Sequence, residues 1–502
     1  MTRHAKLIDR AKIAVDNNFI VIIDDMNVKP SQEINLKAHT RSFPHGFLWG
    51  ASTSHFQIEG NPFEINNRLS DWSIWANDPS HINDQSSADQ ACEFFDRYAT
   101  DLDLLSSLNL NAFRLSLNWA AICPHPPIGN DLKINKEMID YYRKVLQMSK
   151  DKDIKTFVTL FHFCLPQWLA QEGGWQNEKT AYEFTRFAKI IANELGDLVD
   201  FWQTINEPLS YSYEGFIKGV WPPGLKNGYP QGFIALRNML IGHAAAYKAI
   251  HEISKAAQVS YAMIWRPFIP RRITNPLDLL VTYSRNKMFN HFFPMAVQSG
   301  YLQCPFPLNL FSELQSLAGP IPDLKDSADY LSINYYTREI CEFSLNAPFL
   351  PLGIRSDLKT LPINALGWEI CPSALLKLLT IDTRSYQKST TGKDRPIYIT
   401  ENGYASRFSA DLSIGDWSLK DEERCDFLHS HLVSIYEAIE AGINIKGYLH
   451  WSLLDNFEWA EGLQIRFGLV RIAYPTQERT FRDSARLYAK IAGSNNLIDY
   501  KK

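Results

Sequence analysis

No run of apolar residues in this 502-residue chain approaches the roughly 20 that a membrane-spanning helix needs. The apolar burst nearest the start, Phe19 to Ile23, is shorter than the core of a secretion signal, about 7–15 residues, so none is expected. Cysteine is sparse, odd in number and scattered: Cys92, Cys123, Cys164, Cys304, Cys341, Cys371 and Cys425, with no CxxC. That excludes a disulfide framework and a thiolate zinc site, and it predicts reduced thiols in a cytoplasmic protein. Neither sign of charge dominates, since 51 Lys and Arg face 55 Asp and Glu for a net −4. No basic surplus draws the chain to nucleic acid or to a membrane surface. The 13 His form no HExxH, and no GxGxxG or P-loop is present. No metal and no cofactor are therefore expected. Internal repeats and low-complexity segments are also missing.

What the chain has in plenty is aromatic residues, with 13 Trp, 22 Tyr and 29 Phe. They exclude disorder, and a chain this long buries about three quarters of its unfolded surface. Its length fits two or three domains or one large α/β barrel. Short β-branched or aromatic runs alternate with longer amphipathic stretches from Phe43 onward. The runs are Phe47–Ser52, Ala112–Asn118, Thr156–Phe161, Val199–Thr204, Val259–Ile264, Tyr330–Asn334, Ile397–Thr400 and Gly447–His450. Between them, helices are predicted over Ala88–Leu108, Lys136–Ser149, Ala181–Leu195, Gly232–Ala257, Pro372–Leu379 and Glu422–Ala441, with loops at 78–85, 222–231 and 346–362. Eight such units predict a single α/β domain, a (β/α)8 TIM barrel with extended βα loops, over residues 43–495. Residues 1–42 read as an N-terminal extension in which Phe19–Ile23 is an edge strand or a short helix.

Polar and aromatic residues cluster where these runs end. Gln57 and Glu59 follow the first and Arg114 lies on the second. His162 follows the third, Asn206 and Glu207 the fourth, and Tyr336 the sixth. Glu401 closes the seventh and Trp451 follows the eighth. In a TIM barrel those ends converge on one pocket. Carboxylates and amides there suit sugar hydroxyls, and aromatic faces suit the apolar side of a sugar ring. Two carboxylates across a glycosidic bond are the minimum equipment for hydrolysing it. A separation of about 5–5.5 Å means a nucleophile and retention, and about 6.5–9.5 Å means inversion.

Four longer motifs carry a resemblance. Phe47-Leu-Trp-Gly-Ala-Ser-Thr-Ser-His-Phe-Gln-Ile-Glu-Gly60, Thr204-Ile-Asn-Glu-Pro208, Ile399-Thr-Glu-Asn-Gly403 and Trp451-Ser-Leu-Leu-Asp-Asn-Phe-Glu-Trp-Ala-Glu-Gly462 occur in register between Phe47 and about Tyr474. Together they resemble glycoside hydrolase family 1, the β-glucosidase family of retaining TIM-barrel enzymes. The resemblance implies that Glu207 is the general acid/base and Glu401 the nucleophile of a retaining β-glycosidase. Its substrates would be β-D-glucosides, with galactosides or fucosides as side substrates. The alternatives are a catalytically weak sugar-binding relative or a transglycosylase. Arg114 and Tyr336 would support the nucleophile, since a cation and a phenol O–H both favour an ionised carboxylate. Gln57, His162, Asn206, Trp451, Glu458, Trp459 and Phe467 would bind the sugar, with Asn206 on its 2-hydroxyl, and Trp368 would carry the aglycone. A carboxylate at Glu458 would repel a phosphorylated sugar. The only partner implied is a small-molecule β-glycoside or oligosaccharide.

Three positions depart from the family pattern. The third-strand motif, usually His-Trp-Asp-Leu-Pro, reads His162-Phe163-Cys164-Leu165-Pro166. Phe163 keeps the bulk but lacks the indole N–H, a loss of about 0.5–1.5 kcal/mol for one neutral hydrogen bond. Cys164 reads as a buried structural thiol. Trp119-Ala120-Ala121 replaces Trp-Ser-Arg, and Leu209 stands where many relatives carry an aromatic. Removal of residues 1–40 is expected to leave glycosidase activity and melting temperature largely unchanged, and a truncated chain that fails to fold would refute their reading as an appendage.

Overall fold

The computed structural model describes residues 41–60, 69–89, 91–129, 131–305, 308–347, 353–407, 421–474 and 476–501. The chain divides into two units, Met1–Arg41 and Ser42–Lys502, and the architecture below belongs to the second. The reading of Phe19–Ile23 falls outside the described residues.

Eight strands close into one barrel: β1 (Leu48–Ser52), β2 (Ala112–Ser116), β3 (Lys155–Phe161), β4 (Phe201–Asn206), β5 (Gln258–Trp265), β6 (Leu331–Tyr335), β7 (Ile397–Glu401) and β8 (Ile445–Trp451). Every neighbour pairs in parallel, and β8 returns to β1 through Gly447–Trp451 against Leu48–Ser52. The predicted TIM barrel is the observed fold, and each predicted strand is present with its ends moved by no more than two residues. The strands are buried along most of their length because helices cover them outside while side chains fill them inside, so they carry continuous apolar runs.

The period of two sorts these runs by face. Phe113, Leu115, Val158, Leu160, Trp202 and Ile333 point outward into the main core beneath the helices. Ala112, Phe157, Tyr330, Tyr398 and Leu449 point inward and form a separate cluster. Phe157 stacks on Phe201 with ring centroids 4.3 Å apart, and Tyr330 Oη donates to the Trp202 carbonyl at 2.8 Å. This aromatic plug closes the barrel floor. One residue-pair higher, the inward positions turn polar: Arg114, Thr159, Gln203, Ser332 and Thr400, all nearly inaccessible.

The helices start where their caps dictate. Asn135, Asn177 and Asn275 each accept a backbone N–H of the first turn of α2 (Lys136–Asp151), α3 (Glu178–Leu195) and α5 (Pro276–Asn286). The predicted helix from Ala88 starts only at Phe94, as α1 (Phe94–Ser107). Ala91 and Glu93 hold φ values of 39° and 50°, which no right-handed helix accepts. α4 (Tyr229–Ile253) begins inside the predicted 222–231 loop, and α7 (Pro372–Lys377) passes into a π turn at Leu378–Asp382. Between β5 and β6 the chain adds α5, α6 (Phe292–Ser299) and a strand, Phe268–Pro270, that pairs with Glu339–Glu342 after β6. The outer ring is completed by α8 (Glu422–Glu440) and α9 (Asp483–Ser494). Among the described residues no helix is long and apolar enough to cross a membrane.

One packing feature is costly. Glu59 is buried, receives the Tyr142 hydroxyl at 2.8 Å on Oε1, and has no hydrogen-bond partner on Oε2 among the described residues. Burial pushes its pKa to about 8, against the opposing bonds from Tyr142 and Asn118. The folded state thus holds a proton that the unfolded chain releases near pH 4.5, so this contribution to stability is full below pH 4.5 and lost as pH rises towards 8. Glu59→Gln removes the dependence. Its stability is expected to gain on wild type from pH 5 to 8 by on the order of 1.4 kcal/mol per pH unit, read as a melting-temperature difference that widens with pH. A constant difference across that range in thermal melts would refute the assignment.

Candidate active site

At the C-terminal ends of the strands the polar residues converge around one guanidinium. Arg114, fully buried on β2, pairs through Nη1 with Glu401 Oε1 at the end of β7. Its Nη2 donates to Asn206 Oδ1 at 2.7 Å, and its Nε donates to Gln203 Oε1. Tyr336 Oη donates to the other Glu401 oxygen at 2.7 Å. Glu401 therefore faces a cation on one oxygen and a phenol on the other. Burial and the charges of Glu401 and Glu207 push the Tyr336 phenol well above its usual range, so it remains a donor.

Glu207 lies across the same network in a different setting. Asn334 Nδ2 donates to its Oε1 at 2.7 Å and Ser210 Oγ to its Oε2 at 2.7 Å. No ion pair to Glu207 exists among the described residues. The same Asn334 Nδ2 stands 3.2 Å from Asn206 Oδ1, so a single amide bridges Glu207 to the residue that Arg114 holds. Burial first, then the charge of Glu401, raises the Glu207 pKa to about 7; Asn334, Ser210 and Arg114 oppose the shift. Of the two carboxylates, Glu401 holds the ion pair with Arg114 and Glu207 is left with neutral donors.

The backbone explains how Glu207 reaches this place. β4 ends at Asn206, Pro208 opens a short helix over Pro208–Ser212, and Glu207 between them has φ 41°. Proline suits a first helical position. Phe163 after β3 (φ 69°) and Trp459 after β8 (φ 48°) share this left-handed conformation. Such non-glycine residues cost about 1–3 kcal/mol each and gather at functional sites. After β7, a Cβ at Gly403 would collide with the Trp451 carbonyl oxygen. Only glycine lets the chain leave Glu401 alongside β8.

The other expected site residues join the same mouth. Gln57 accepts from Ser54 Oγ at 2.7 Å, and its amide donates to Asn456 Oδ1 at 3.0 Å and Glu458 Oε2 at 3.2 Å. Burial, then the charges of Glu401 and Glu461, push Glu458 to about 8. His162 faces Asn206 Nδ2 with Nε2 at 3.1 Å, and its Nδ1 has no partner. Burial and Arg114 hold it neutral. Its ring lies between Trp451 and Trp459, 6.1 and 6.0 Å away and nearly parallel to both.

Trp368, partly exposed, leans on Tyr336 at 5.5 Å and Phe467 at 6.3 Å. With Trp451, Ile264 and Ile465 these rings form an apolar cluster of their own at the mouth. Phe163 is wedged against Trp221 (4.8 Å) and Trp459 (5.2 Å). Cys164 is buried, and burial with the nearby acids Asp71 and Glu59 drives its thiol well above the ordinary range, as its reading as a structural residue requires. Asn334, Ser210 and Gln203 were not singled out in the sequence as site residues. Asn334 was visible as a polar strand end, and Gln203 as a polar residue on the inward face of an apolar strand.

Comparison with known proteins agrees with this geometry. The sequence model described as Glycosyl hydrolase family 1 matches residues 39–497. Beta-glucosidase A of Thermotoga maritima is 31% identical over 467 residues, which is 92% of this chain and 100% of that protein. The 1,4-beta-D-glucan glucohydrolase of Thermotoga neapolitana is 30% identical over 91% of this chain and its own full length. Furcatin hydrolase of Viburnum furcatum is 29% identical over 90% of this chain and 87% of its own. Among solved structures, the family 1 β-glucosidase of Thermotoga maritima superposes with a TM-score of 0.82 at 29% identity, covering 92% of this chain and 100% of that one. In complex with deoxynojirimycin the same enzyme gives 0.80 over 91% of this chain and 100% of that one. The match extends from the strand that opens the barrel to the helix that closes it, and the chain belongs to glycosyl hydrolase family 1, whose members hydrolyse O-glycosidic bonds.

Proposed function

We propose that this protein is a retaining β-glucosidase that releases terminal non-reducing β-D-glucosyl residues by double displacement. β-Galactosides and β-fucosides are side substrates. The observation that carries the reading is the division of labour between two linked carboxylates: Glu401 is ion-paired and ready to attack, while Glu207 is pushed to about 7 and ready to give a proton. In the first step a Glu401 oxygen attacks the anomeric carbon. The glycosidic C–O bond breaks, and Glu207 gives its proton to the departing oxygen. In the second step a water attacks the same carbon, Glu207 takes a proton from it, and the Glu401 ester is released. Two inversions return the starting configuration. Once Glu401 is esterified its charge is gone, the second cause of the raised Glu207 pKa disappears, and Glu207 becomes a base.

The remaining residues fit binding of an unphosphorylated glucoside. Asn206 faces the 2-hydroxyl and His162 offers the free Nδ1. Gln57 and Glu458, the latter a neutral acid that both donates and accepts, take hydroxyls at the far end of the ring. Trp451 provides a stacking surface, with Trp459 and Phe467 along the ring edge, and Trp368 meets the aglycone. Phe163 offers no donor at the 3-hydroxyl, so selection among sugars that differ there is looser.

The decisive test is turnover of a chromogenic aryl β-glucoside. Glu401→Gly is expected to fall to background and to recover release with azide or formate, which occupy the space left by the side chain. Glu207→Ala is expected to lose about 10²–10⁴-fold on poor leaving groups, and far less on dinitrophenyl glucosides, which need little protonation. Wild type no faster than Glu401→Gly on several β-glycosides would mark a sugar-binding protein without turnover. The pH profile gives a second check. Ser210 Oγ favours the ionised form of Glu207, so Ser210→Ala should raise the pKa of the acid and move the alkaline limb of kcat/KM to higher pH. A limb that stays or falls contradicts that role.

A further inference from the structure

The polar layer beneath the carboxylates is continuous. Gln203 Oε1 accepts from Arg114 Nε and from Thr159 Oγ1 at 2.9 Å, and Gln203 Nε2 donates to Ser332 Oγ at 2.6 Å. Ser332 Oγ lies 2.6 Å from Thr400 Oγ1, Thr400 Oγ1 donates to Asn334 Oδ1 at 2.8 Å, and Asn334 Nδ2 reaches Glu207. From Glu401 through Arg114, Gln203, Ser332, Thr400 and Asn334 to Glu207 the chain of bonds is unbroken. Every member is nearly inaccessible.

A buried guanidinium has five N–H donors in a fixed plane. Nη1 and Nη2 are committed to Glu401 and Asn206, so the orientation of that plane depends on what holds Nε. Gln203 is the Nε acceptor, and its amide has a donor side that locks the acceptor side in place through Ser332. We propose that Gln203 is a positioning residue of this glycosidase: it fixes the plane of Arg114, and so the angle of Glu401, and through Ser332, Thr400 and Asn334 it keeps the orientation of Glu207 tied to that of Glu401. This rests on the roles given above to Glu207 and Glu401. Gln203 touches neither the sugar nor either carboxylate, so its effect is on rate more than on binding.

The test compares wild type, Gln203→Leu and Gln203→Glu in the full-length protein on an aryl β-glucoside. Gln203→Leu keeps the bulk but removes both hydrogen-bonding ends. Its kcat is expected to fall about tenfold to a hundredfold, the loss of one charge-assisted bond, with KM changed less than about threefold. A loss of kcat with an almost unchanged KM marks mispositioned groups rather than lost binding. Gln203→Glu restores the Arg114 acceptor in the same shape and should recover at least part of the lost kcat. A folded Gln203→Leu with kcat within twofold of wild type overturns the proposal. If Gln203→Leu does not fold, a Gln203→Met variant with kcat within twofold of wild type overturns it equally, because methionine offers no amide to hold Arg114 or Ser332. Absence of wild-type turnover would instead count against the glycosidase reading itself.

Discussion

A single buried cation organises the mouth of this barrel. Arg114 sits where water does not reach, and a charge in that position is tolerated only when its donors are all engaged. Its partners come from two other strands: Gln203 and Asn206 on β4, and Glu401 on β7. Removing one partner of such a pair costs about 3–5 kcal/mol, because the other is left buried and uncompensated. The spacing of β2, β4 and β7 is therefore held by electrostatics as well as by the backbone ladders. The polar tier above the Phe157, Phe201 and Tyr330 plug exists to satisfy it.

The chemistry follows from how that charge is distributed. With Arg114 committed to Glu401, the second carboxylate receives only neutral donors and the field of its neighbour. Burial first, then the charges of Glu401 and Glu461, push Glu458 to about 8. The aromatic residues set the walls. Trp459 packs on Trp72, Phe56 and Trp221, and Trp451 and Phe467 cluster with Tyr336, so the rings at the strand ends hold one another in place.

Activity and stability pull against each other here. Left-handed backbone at Glu207, Phe163 and Trp459 and the raised pKa values of Glu59, Asp71, Glu207 and Glu458 are all conformations or protonation states that an unfolded chain would not choose. They persist because a large, continuous core under the helices supports them. The raised acids contribute most to stability at low pH and lose that contribution as pH rises through their folded-state values, whereas buried neutral histidines such as His55, His243 and His431 act in the opposite sense.

Much of this was legible in the chain. Eight apolar runs with polar ends and amphipathic stretches between them point to a parallel sheet covered on both faces, and the number of units fits a closed barrel. Asn206-Glu207-Pro208 and Glu401-Asn402-Gly403 mark the reactive ends, since proline and glycine are what local backbone geometry demands there. Helix starts were less legible where single residues such as Ala91 and Glu93 adopt positive φ, a choice made by packing rather than by propensity. The network through Gln203, Ser332, Thr400 and Asn334 could not be read at all. Each is an isolated polar residue in an apolar strand, and only closure of the barrel brings four strands to one axis and gives each its partner. The sequence alone determined which carboxylates, cation and rings are present; the tertiary structure decided which carboxylate holds the cation, and with it which keeps the proton.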